Sequence, residues 1–472
     1  MNLQTRIPVH DAGPAVAAVP LDLLARRHDG QVPRYTSYPT ADRFHEEFTA
    51  DDQVRNALAS NAAHRPLSLY IHLPFCATVC YYCACNRIVT ANRARVRPYL
   101  DLLKEEIRMQ AALFDSSRPV RQLHWGGGTP TFLSGAEMTE LMHHTARHFH
   151  LLEGDRGEYS IEIDPRTVDA GTLALLRGLG FNRLSLGVQD FDPRVQKAVN
   201  RIQDEAQVRS LVEAARSLGF RSLGFDLIYG LPLQSVASFR RTLAQVIALK
   251  PDRLSVFNYA HLPARFHVQR QIDEAELPPP AEKLRILDST VQQLLAAGYV
   301  HIGMDHFALP GDELAQALHD GTLRRNFQGY STGAGTDLVG IGLSAISDVN
   351  GVYAQNHRDM ADYEFAVREH QLPVARGFAP DSEDRLRRHV IMELACRGRL
   401  DYDDIGHRYG IDFRRHFAAE LQRLDEFAGD GLLVTGDHGV QVTDAGRFLL
   451  RSLCAVFDRW LDRRHAGFSR AI

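Results

Sequence analysis

The sequence has little of what marks a secreted, fibrous or disordered protein. Only six of its 472 residues are cysteine, too few for a disulfide scaffold in a chain of this length. No charge is in large excess, because 54 Lys and Arg face 58 Asp and Glu, for a net charge of −4. This balance gives no general attraction to nucleic acid or anionic membranes. A content of 44 % hydrophobic and 24 % charged residues excludes a disordered chain.

Long hydrophobic runs are also missing. No stretch approaches the roughly 18 uncharged apolar residues that cross a bilayer. The mildly apolar segment 15–21 does not resemble an export signal, because Asp11 precedes it and Pro14 and Pro20 interrupt it. We therefore predict a flexible extension over residues 1–31 and a cytoplasmic protein in a reducing compartment.

What the sequence does have is a regular alternation of short β-type runs and amphipathic helical segments. Such alternation predicts parallel strands joined by right-handed crossovers. Six units favour an α/β fold, a partial (β/α)6 barrel of the TIM type with its active site at the carboxyl ends of the strands. The six predicted strands are residues 67–75, 122–128, 158–164, 183–190, 223–230 and 253–260.

Polar residues alternate with apolar ones inside several of these strands. Ser160, Glu162 and Asp164 alternate with isoleucines, and Asp226 lies between two apolar residues. Parallel strands covered by helices are usually apolar on both faces. We therefore expect these polar side chains to face a cavity inside the barrel.

The second half of the chain has a different pattern of predicted helices and strands. A helix is predicted at 281–297 and a seventh strand-like run at 301–309, and a helix-rich region follows with helices at 385–394, 413–427 and 447–460. A hairpin is predicted from 431–435 and 439–443. The predicted organisation is a segment packing near the active site (32–66), a barrel with extensions (67–375) and a mainly helical domain carrying the hairpin (376–472).

Helices followed by a small hairpin also resemble a winged helix, which raises the possibility of DNA binding. Asp425, Asp430, Asp437 and Asp444 suit contact with phosphate poorly. We therefore expect the C-terminal domain to have a structural role or to act as a lid.

Four of the cysteines lie in one short loop directly after the first predicted strand. Cys76, Cys80, Cys83 and Cys85 have the spacing Cys-x3-Cys-x2-Cys-x-Cys. Zinc sites usually combine two ligand pairs separated by a longer loop, whereas three thiolates in one tight loop suit a cubane iron–sulfur cluster. Three protein ligands leave the fourth iron open to another ligand. Cys85 follows Cys83 too closely to be assumed a ligand, and it is a candidate catalytic or supporting thiol.

This loop resembles that of the radical S-adenosylmethionine superfamily. Cys85 and the upstream segment Pro33-Arg34-Tyr35-Thr36-Ser37-Tyr38-Pro39-Thr40 narrow the resemblance to the oxygen-independent coproporphyrinogen III oxidases. Further motifs continue it in order to the C-terminal region: HWGGGTPT at 124–131, GVQDF at 187–191, DLIYGLP at 226–232, FNYAHLP at 257–263 and NFQGY at 326–330.

The resemblance implies a function. One 4Fe-4S cluster held by Cys76, Cys80 and Cys83 would reduce S-adenosylmethionine and release a 5′-deoxyadenosyl radical. In this family the radical takes hydrogen from two propionate side chains of coproporphyrinogen III, which lose carbon dioxide and become the vinyl groups of protoporphyrinogen IX. The implied partners are coproporphyrinogen III and a reduced flavodoxin- or ferredoxin-type electron donor. Neither nucleic acid nor membrane is expected, and the protein is expected to be a monomer.

The resemblance also implies contacts with the cofactor. Glycines 126–128 carry no side chains, so that a ligand can approach the backbone, and no Lys-Ser/Thr follows them as in a nucleotide P-loop. Contacts with the first S-adenosylmethionine are implied for Tyr70, Gly127, Glu162, Ala260 and Ile346. A second S-adenosylmethionine is implied beside it, with contacts from Tyr82, Gly128, Thr129, Gln189, Arg201 and Asp226. Four alternatives stay open: the glycines form a tight turn, Glu162 is a solvated strand-end carboxylate, Ile346 and Ala260 are ordinary core residues, or Asp226 and Arg201 pair with each other.

A substrate with four carboxylates calls for fixed cations, and guanidinium groups match carboxylates best. Arg34 is the first candidate, with Cys85 as the other proposed catalytic residue, and Arg265 is a weaker candidate. Tyr35 and Tyr38 either stack on a macrocycle or pin the N-terminal segment.

Three other functions remain as alternatives. A haem chaperone of the same fold usually lacks the fourth cysteine and carries His-Asn-x-x-Tyr-Trp, a motif absent here. A radical methyltransferase or haem-degrading relative would be separated by its product, S-adenosylhomocysteine in place of deoxyadenosine for methyl transfer. A zinc-binding regulator without catalytic activity would contain no iron or sulfide.

Overall fold

In the computed structural model, which describes residues 21–28, 30–333 and 335–461, the chain is organised around one large mixed sheet. The strands are β1 Leu67–Leu73, β2 Phe75–Cys76, β3 Ile88–Val89, β4 Pro119–Gly127, β5 His150–Leu151, β6 Glu158–Ile163, β7 Arg183–Gln189, β8 Ser222–Tyr229, β9 Arg253–Asn258, β10 Val300–Gly303, β11 His306–Ala308, β12 Arg324–Asn326, β13 Gly329–Ser331, β14 Asp337–Ile341, β15 Ile346–Val349, β16 Val352–Asn356, β17 Val374–Phe378, β18 Arg399–Asp401, β19 Leu433–Thr435 and β20 Gly439–Val442.

The α-helices lie between these strands and in the C-terminal region. They are α1 Leu21–His28, α2 Ala50–Ser60, α3 Val96–Ala111, α4 Gly135–His148, α5 Ala170–Gly178, α6 Pro193–Ala198, α7 Glu205–Ser217, α8 Val236–Leu249, α9 Pro280–Ala296, α10 Glu313–His319, α11 Met360–Arg368, α12 Ser382–Arg397, α13 Tyr402–Tyr409, α14 Phe413–His416, α15 Ala418–Gly429, α16 Asp444–Phe448 and α17 Leu450–Ala455. Among the described residues, no helix combines the length and the apolar character needed to cross a bilayer.

The six predicted strands form the parallel core of the sheet. They are β1, β4, β6, β7, β8 and β9, hydrogen-bonded side by side in that order, each parallel to the next. The predicted partial barrel is confirmed in this respect. The first strand is shorter than predicted, because β1 ends at Leu73, before Pro74, which has no N–H to donate to a ladder.

Short sequence signals mark where the helices that connect the parallel strands begin and end. Ser134 and Glu137 form a reciprocal capping box at the start of α4. Helix α8 ends at Leu249 and is followed by Lys250, which adopts the left-handed conformation, and then by Pro251, which cannot continue the helix.

The two edges of the sheet depart from the predicted pattern. The run 301–309 is not one parallel strand but the antiparallel pair β10 and β11, and β11 lies antiparallel to β9. At the other edge β14 lies parallel to β1, and β15, β16 and β17 continue the sheet in antiparallel pairing. The predicted domain boundary at 375/376 falls inside β17.

The C-terminal region contains the predicted hairpin, β19 and β20, to which β18 adds a third strand. Two helices predicted to be continuous are interrupted. The run 413–427 is divided into α14 and α15 at Phe417, and 447–460 contains α16 and α17, separated at Leu449 and ending before Trp460. Both dividing residues have φ near −105° with positive ψ, which turns the chain while their side chains stay buried.

The N-terminal segment is held to the rest of the chain. Of the predicted flexible extension, residues 1–20 and 29 lie outside the described residues, and Leu21–His28 is helix α1, whose His28 ring bonds to Asp430 at 2.6 Å. Tyr35 and Tyr38 are fully buried, and Tyr35 donates a hydrogen bond to Asp458. Of the two alternatives for these tyrosines, pinning the segment is therefore confirmed, and stacking on a macrocycle is wrong.

A buried ion pair fastens β14 beside β1 and gives a test of the sheet. Arg118 Nη2 lies 2.5 Å from Asp337 Oδ2, and both side chains are 1 % exposed. We expect Asp337→Leu to lower the free energy of unfolding by about 3–5 kcal/mol, because it leaves a buried guanidinium without its counter-charge. Denaturant unfolding of the two proteins measures this. The control is Asp52→Ala, which removes the exposed ion pair with Arg55 and a helix-capping hydrogen bond. The ion pair contributes about 1 kcal/mol or less to the free energy of unfolding. The cap contributes about 1 kcal/mol. A loss for Asp337→Leu no larger than that of the control would contradict the assignment.

Candidate active site

A polar cavity of about 550 Å³ occupies the inside of the barrel and reaches the carboxyl ends of its strands. Alternate residues of the strands face it, as the period of two in the sequence predicts. The side chains that line it from β6 to β9 include Ser160, Glu162, Ser185, Asp226, Ser255 and Phe257. The predicted inward-facing polar surface is thus confirmed, although Asp164 lies beyond the end of β6 and does not line the cavity.

The cysteine loop begins at the end of β1. Cys76 lies on β2, which pairs with β3 through Cys76 and Val89. Cys80 is buried, Cys76 and Cys83 are half-buried, and Cys85 is exposed to the cavity that it lines. All six cysteines are free thiols.

Cationic and hydroxyl groups surround the thiols. Thr129 Oγ1 lies 3.5 Å from Cys76 Sγ, and the guanidinium groups of Arg201 and Arg166 lie 3.5 and 3.7 Å from Cys80 Sγ. Arg87 donates to the carbonyl oxygens of Cys83 and Cys85. Positive charge at this position favours thiolates, so the donor set fits a thiolate-bound cluster. In the parts of the chain described, no three His, Cys, Asp or Glu side chains are spaced to hold a single metal ion.

The end of β4 lies directly against the entrance to this loop. The Gly128 N–H donates to Leu73 O at 2.9 Å and the Thr129 N–H to Phe75 O at 2.8 Å. A Cβ at Gly128 would stand 2.7 Å from the backbone of Pro74 and Phe75, and one at Gly127 would stand 2.6 Å from the His72 ring. Gly127 also has φ of +115°, which L side chains rarely adopt. The glycines are therefore required by close packing, whatever they also bind.

Tyr70 and Glu162 form one wall of the cavity. The Tyr70 ring stacks on His124 with centroids 5.8 Å apart, and its hydroxyl lies 3.0 Å from His72 Nδ1. Glu162 accepts a hydrogen bond from the Gly127 N–H at 3.1 Å and lies 3.3 Å from His124 Nε2. Burial raises the pKa of Glu162, but these contacts with His124 and Gly127 outweigh it and hold the pKa below its ordinary value. Glu162 is therefore a carboxylate anchored by hydrogen bonds, and because 43 % of its side chain is exposed, the alternative of a solvated strand-end carboxylate stays open.

Asp226 and Arg201 do not pair with each other. Asp226 accepts a hydrogen bond from Ser185 at 2.8 Å, and burial raises its pKa. Arg201 lies 3.2 Å from Asp164 and donates to the carbonyl of Gly187. The alternative of an Arg201–Asp226 pair is therefore wrong.

The remaining predicted cofactor contacts fall into two places. Ile346 lines the cavity with the loop before β15. Tyr82, Gln189 and Arg201 lie outside the cavity lining, around Cys80 and the end of β7, where an ideal Cβ on Gly187 would meet both Arg201 and Gln189 at 2.8 Å. Gln189 has φ of +66°, and its Oε1 is buried without a hydrogen-bond partner among the residues that the structure describes. Ala260 also lies outside the lining, and its carbonyl accepts from Gln269 Nε2 at 3.3 Å.

The two candidate substrate cations lie outside the main cavity. The Arg34 guanidinium is 5.6 Å from the ring centre of Phe257, donates to Asn258 O at 3.3 Å and lies 3.7 Å from Asp305. Phe257 lines the cavity, so Arg34 stands at its margin, partly neutralised by Asp305. Arg265 is exposed and packs on the neighbouring Phe266 ring at 5.5 Å. Nothing in this geometry points Arg265 toward the cavity.

Sequence reasoning missed several residues that line the cavity. They share no short spacing, since they come from strands and loops far apart in the chain. His124 and Phe327–Gln328 belong to quoted motifs, whose order could have placed them. Arg183, Arg253 and His306 also line the cavity, and they carry no local signal.

The barrel with a cysteine loop after its first strand defines a class, the radical S-adenosylmethionine enzymes, and the Radical SAM superfamily model matches residues 70–246. A second model, the HemN C-terminal domain, matches residues 381–449. The chain belongs to the family of oxygen-independent coproporphyrinogen III oxidases. It is 54 % identical to the Pseudomonas aeruginosa enzyme of that name over 95 % of this chain and 98 % of the relative, and 48 % identical to the Escherichia coli enzyme over the same shares.

A solved structure agrees with this assignment. The Escherichia coli coproporphyrinogen III oxidase, described as a radical SAM enzyme, superposes with a TM-score of 0.88 at 48 % identity. The match covers 91 % of this chain and all of the solved chain. Membership of the radical SAM superfamily implies a 4Fe-4S cluster and S-adenosylmethionine as cofactors.

The packing of Gly128 gives a test of the site. We expect Gly128→Ala to lower the free energy of unfolding by about 1–3 kcal/mol through overpacking and to reduce the iron bound after anaerobic reconstitution, because it pushes Pro74 and Phe75 away from β4. Iron analysis and denaturant unfolding measure the two effects. Gly178→Ala, which would meet nothing within 4 Å, is the matched control. Full iron content in Gly128→Ala would show that the loop position does not depend on this contact.

Proposed function

We propose that this chain catalyses the oxygen-independent oxidative decarboxylation of coproporphyrinogen III to protoporphyrinogen IX, in haem biosynthesis. The observation that carries the proposal is the meeting of the cysteine loop and the polar cavity at one end of the barrel. The named activity of the relatives supports it over nearly the whole length of the chain.

Cys76, Cys80 and Cys83 would hold the 4Fe-4S cluster. When bound, the cluster would supply the one-electron reduction by which S-adenosylmethionine generates a hydrogen-abstracting radical. The guanidinium groups of Arg201 and Arg166 lie within 4 Å of the Cys80 sulfur, where they would offset the negative charge of the bound cluster. Thr129 donates to Cys76 in the same way.

The residues around the end of β4 would bind the first S-adenosylmethionine. The exposed edge at Gly127 lets its amino and carboxylate groups approach the backbone. Glu162 carries its charge toward the cavity, and an ionised carboxylate only accepts hydrogen bonds, which suits the two ribose hydroxyls. Tyr70 and Ile346 line the cavity beside it, and Ala260 would contribute a backbone contact.

A second S-adenosylmethionine would lie between Asp226 and the group around Cys80. Tyr82, Gly128, Thr129, Gln189 and Arg201 are the residues proposed to contact it, together with Asp226. Two observations support this: Asp226 is not neutralised by Arg201, and the buried Gln189 Oε1 is without a partner among the described residues.

Cys85 and Arg34 would act on the substrate. Cys85 faces the cavity, within reach of a propionate placed there, and Arg34 stands at the margin where the other carboxylates of the substrate would emerge.

Loss of carbon dioxide from the propionate leaves one electron, which an acceptor must remove. The cluster needs a one-electron donor of the flavodoxin or ferredoxin type, and free thiols fit a reducing cytoplasm; a monomer is proposed.

The test is an anaerobic assay of the reconstituted protein with coproporphyrinogen III, dithionite and S-adenosylmethionine. We expect protoporphyrinogen IX, two carbon dioxide lost per macrocycle, and 5′-deoxyadenosine, all absent when S-adenosylmethionine is omitted. Mass analysis of the products measures this. S-adenosylhomocysteine with a methylated product would instead identify a methyltransferase, and haem bound without turnover would identify a chaperone.

Single serine substitutions separate the roles of the four cysteines. We expect Cys76→Ser, Cys80→Ser and Cys83→Ser each to abolish cluster absorbance and activity, because each removes one of three protein ligands. Cys85→Ser should keep the cluster and reduce turnover. Absorbance spectra, iron content and product formation measure the two effects. A cluster retained in any of the first three, or unchanged turnover in Cys85→Ser, would contradict the corresponding role.

A further inference from the structure

The sequence that contains the cysteine loop is one-sided in charge. From Gln53 to Leu100 the sequence contains six arginines and no aspartate or glutamate, although the chain as a whole has a net charge of −4. This acid-free stretch includes β1, the cysteine loop and the segment that leads into α3. A local excess of one charge in a nearly balanced chain needs a physical explanation.

Three segments meet around the exposed tip of the loop, Ala77 and Thr78. Thr90 N–H donates to Cys76 O at 2.9 Å, which places the segment 88–95 on one side. Asn200 Nδ2 donates to Val79 O at 2.7 Å, which places the end of α6 on another. Arg166 Nη2 lies 3.3 Å from Thr78 Oγ1 and closes a third side.

The cations on these segments differ in how far they are neutralised. Arg97 and Arg194 pair with carboxylates at 2.7 and 3.0 Å. Arg95 and Lys197 are exposed, and in the part of the chain that the structure describes they have no carboxylate partner. Arg93 is exposed and donates to the backbone carbonyl of Phe132 at 2.7 Å.

Two apolar side chains lie among these cations and are exposed to solvent. Ile202 is 68 % exposed and Val89 is 44 % exposed. The acids on neighbouring segments offset the charge only in part: Asp164 is buried against Arg166 and Arg201, while Asp169 and Asp204 cap helices α5 and α7. Apolar contacts within a cationic rim are typical of a surface that binds an acidic partner reversibly.

We propose that this cationic face, formed by Arg93, Arg95, Lys197, Val89 and Ile202 around the loop tip, is the docking surface for a small acidic one-electron carrier protein. The inference rests on the proposed function, which consumes one electron for each S-adenosylmethionine cleaved: the carrier loses that electron and the cluster gains it. Ala77 and Thr78 at the loop tip are exposed to solvent, and neither belongs to the lining of the cavity that Cys85 lines. Donor and substrate can therefore bind at the same time.

The test uses reconstituted holoenzyme and a reduced acidic flavodoxin as the probe. In the variant Arg95→Glu/Lys197→Glu we expect the affinity for flavodoxin and the rate of cluster reduction by it, at low ionic strength, to fall about 10-fold or more. In the wild type both should decrease as salt is raised, and the variant should lose that dependence. Titration calorimetry and stopped-flow absorbance measure the two quantities without substrate.

The controls separate docking from folding and from the chemistry. Arg95 is the residue before α3, where an acidic side chain is favourable, so the variant should fold. Dithionite, which needs no docking surface, should reduce the cluster of the variant at the wild-type rate. Arg240→Glu/Arg399→Glu changes the same charge at exposed positions on α8 and β18 and should leave flavodoxin binding unchanged.

Unchanged flavodoxin affinity and reduction rate in Arg95→Glu/Lys197→Glu would overturn the proposal. An equal loss in the control variant would also overturn it, because the effect would then follow from total charge. Binding of RNA at this face with no binding of flavodoxin would replace the partner by a different class. Absence of decarboxylation by the wild type with dithionite would instead refute the proposed function, since flavodoxin binding and cluster reduction do not require coproporphyrinogen III.

Discussion

The close contact between the end of β4 and the backbone that enters the cysteine loop is the constraint on which the site depends. Gly128 and Thr129 hydrogen-bond to Leu73 and Phe75, so the chain leaves β1 along a path that leaves no room for a side chain at Gly128. Thr129 thereby reaches Cys76, and Gly127 turns its N–H toward Glu162. One backbone contact therefore sets the positions of a thiol, a carboxylate and the edge of the cavity together.

The acidic side chains around this contact lie in two places, one beside the cysteine loop and one facing the cavity. Asp164 pairs with both Arg166 and Arg201 next to Cys80, whereas Asp226 faces the cavity and accepts a hydrogen bond from the Ser185 hydroxyl. Asp226 lies within β8 and points inward with the period of the strand, but Asp164 follows the last residue of β6 and is free of that period. The acid inside a strand thus serves the cavity, and the acid just beyond a strand serves the loop.

The same distinction explains how much the sequence could predict. The parallel strands, the inward polar face and the hairpin β19–β20 follow from periodicity and turn residues, which act over a few positions. Arg201 pairs with Asp164, and the run 301–309 turns so that β11 lies antiparallel to β9. Both arrangements depend on partners far along the chain. The local pattern also predicted continuous helices through Phe417 and Leu449, where the structure has breaks. Both residues are apolar and lie at helical spacing, but the backbone turns there to bury their side chains.

Arg34 is the clearest case of a position that no local pattern could give. The carbonyl of Arg34 accepts hydrogen bonds from Arg325, and those of Pro33 and Val32 accept from Arg451 of α17. A buried guanidinium needs such acceptors, and a carbonyl accepts regardless of its side chain, so these contacts fix the path of the segment without leaving a signature in its sequence. The C-terminal region contributes Arg451 to this clamp and so supports the margin of the cavity. This contact favours a structural role for the region over DNA binding, because the cation that it contributes is already committed to the protein's own backbone.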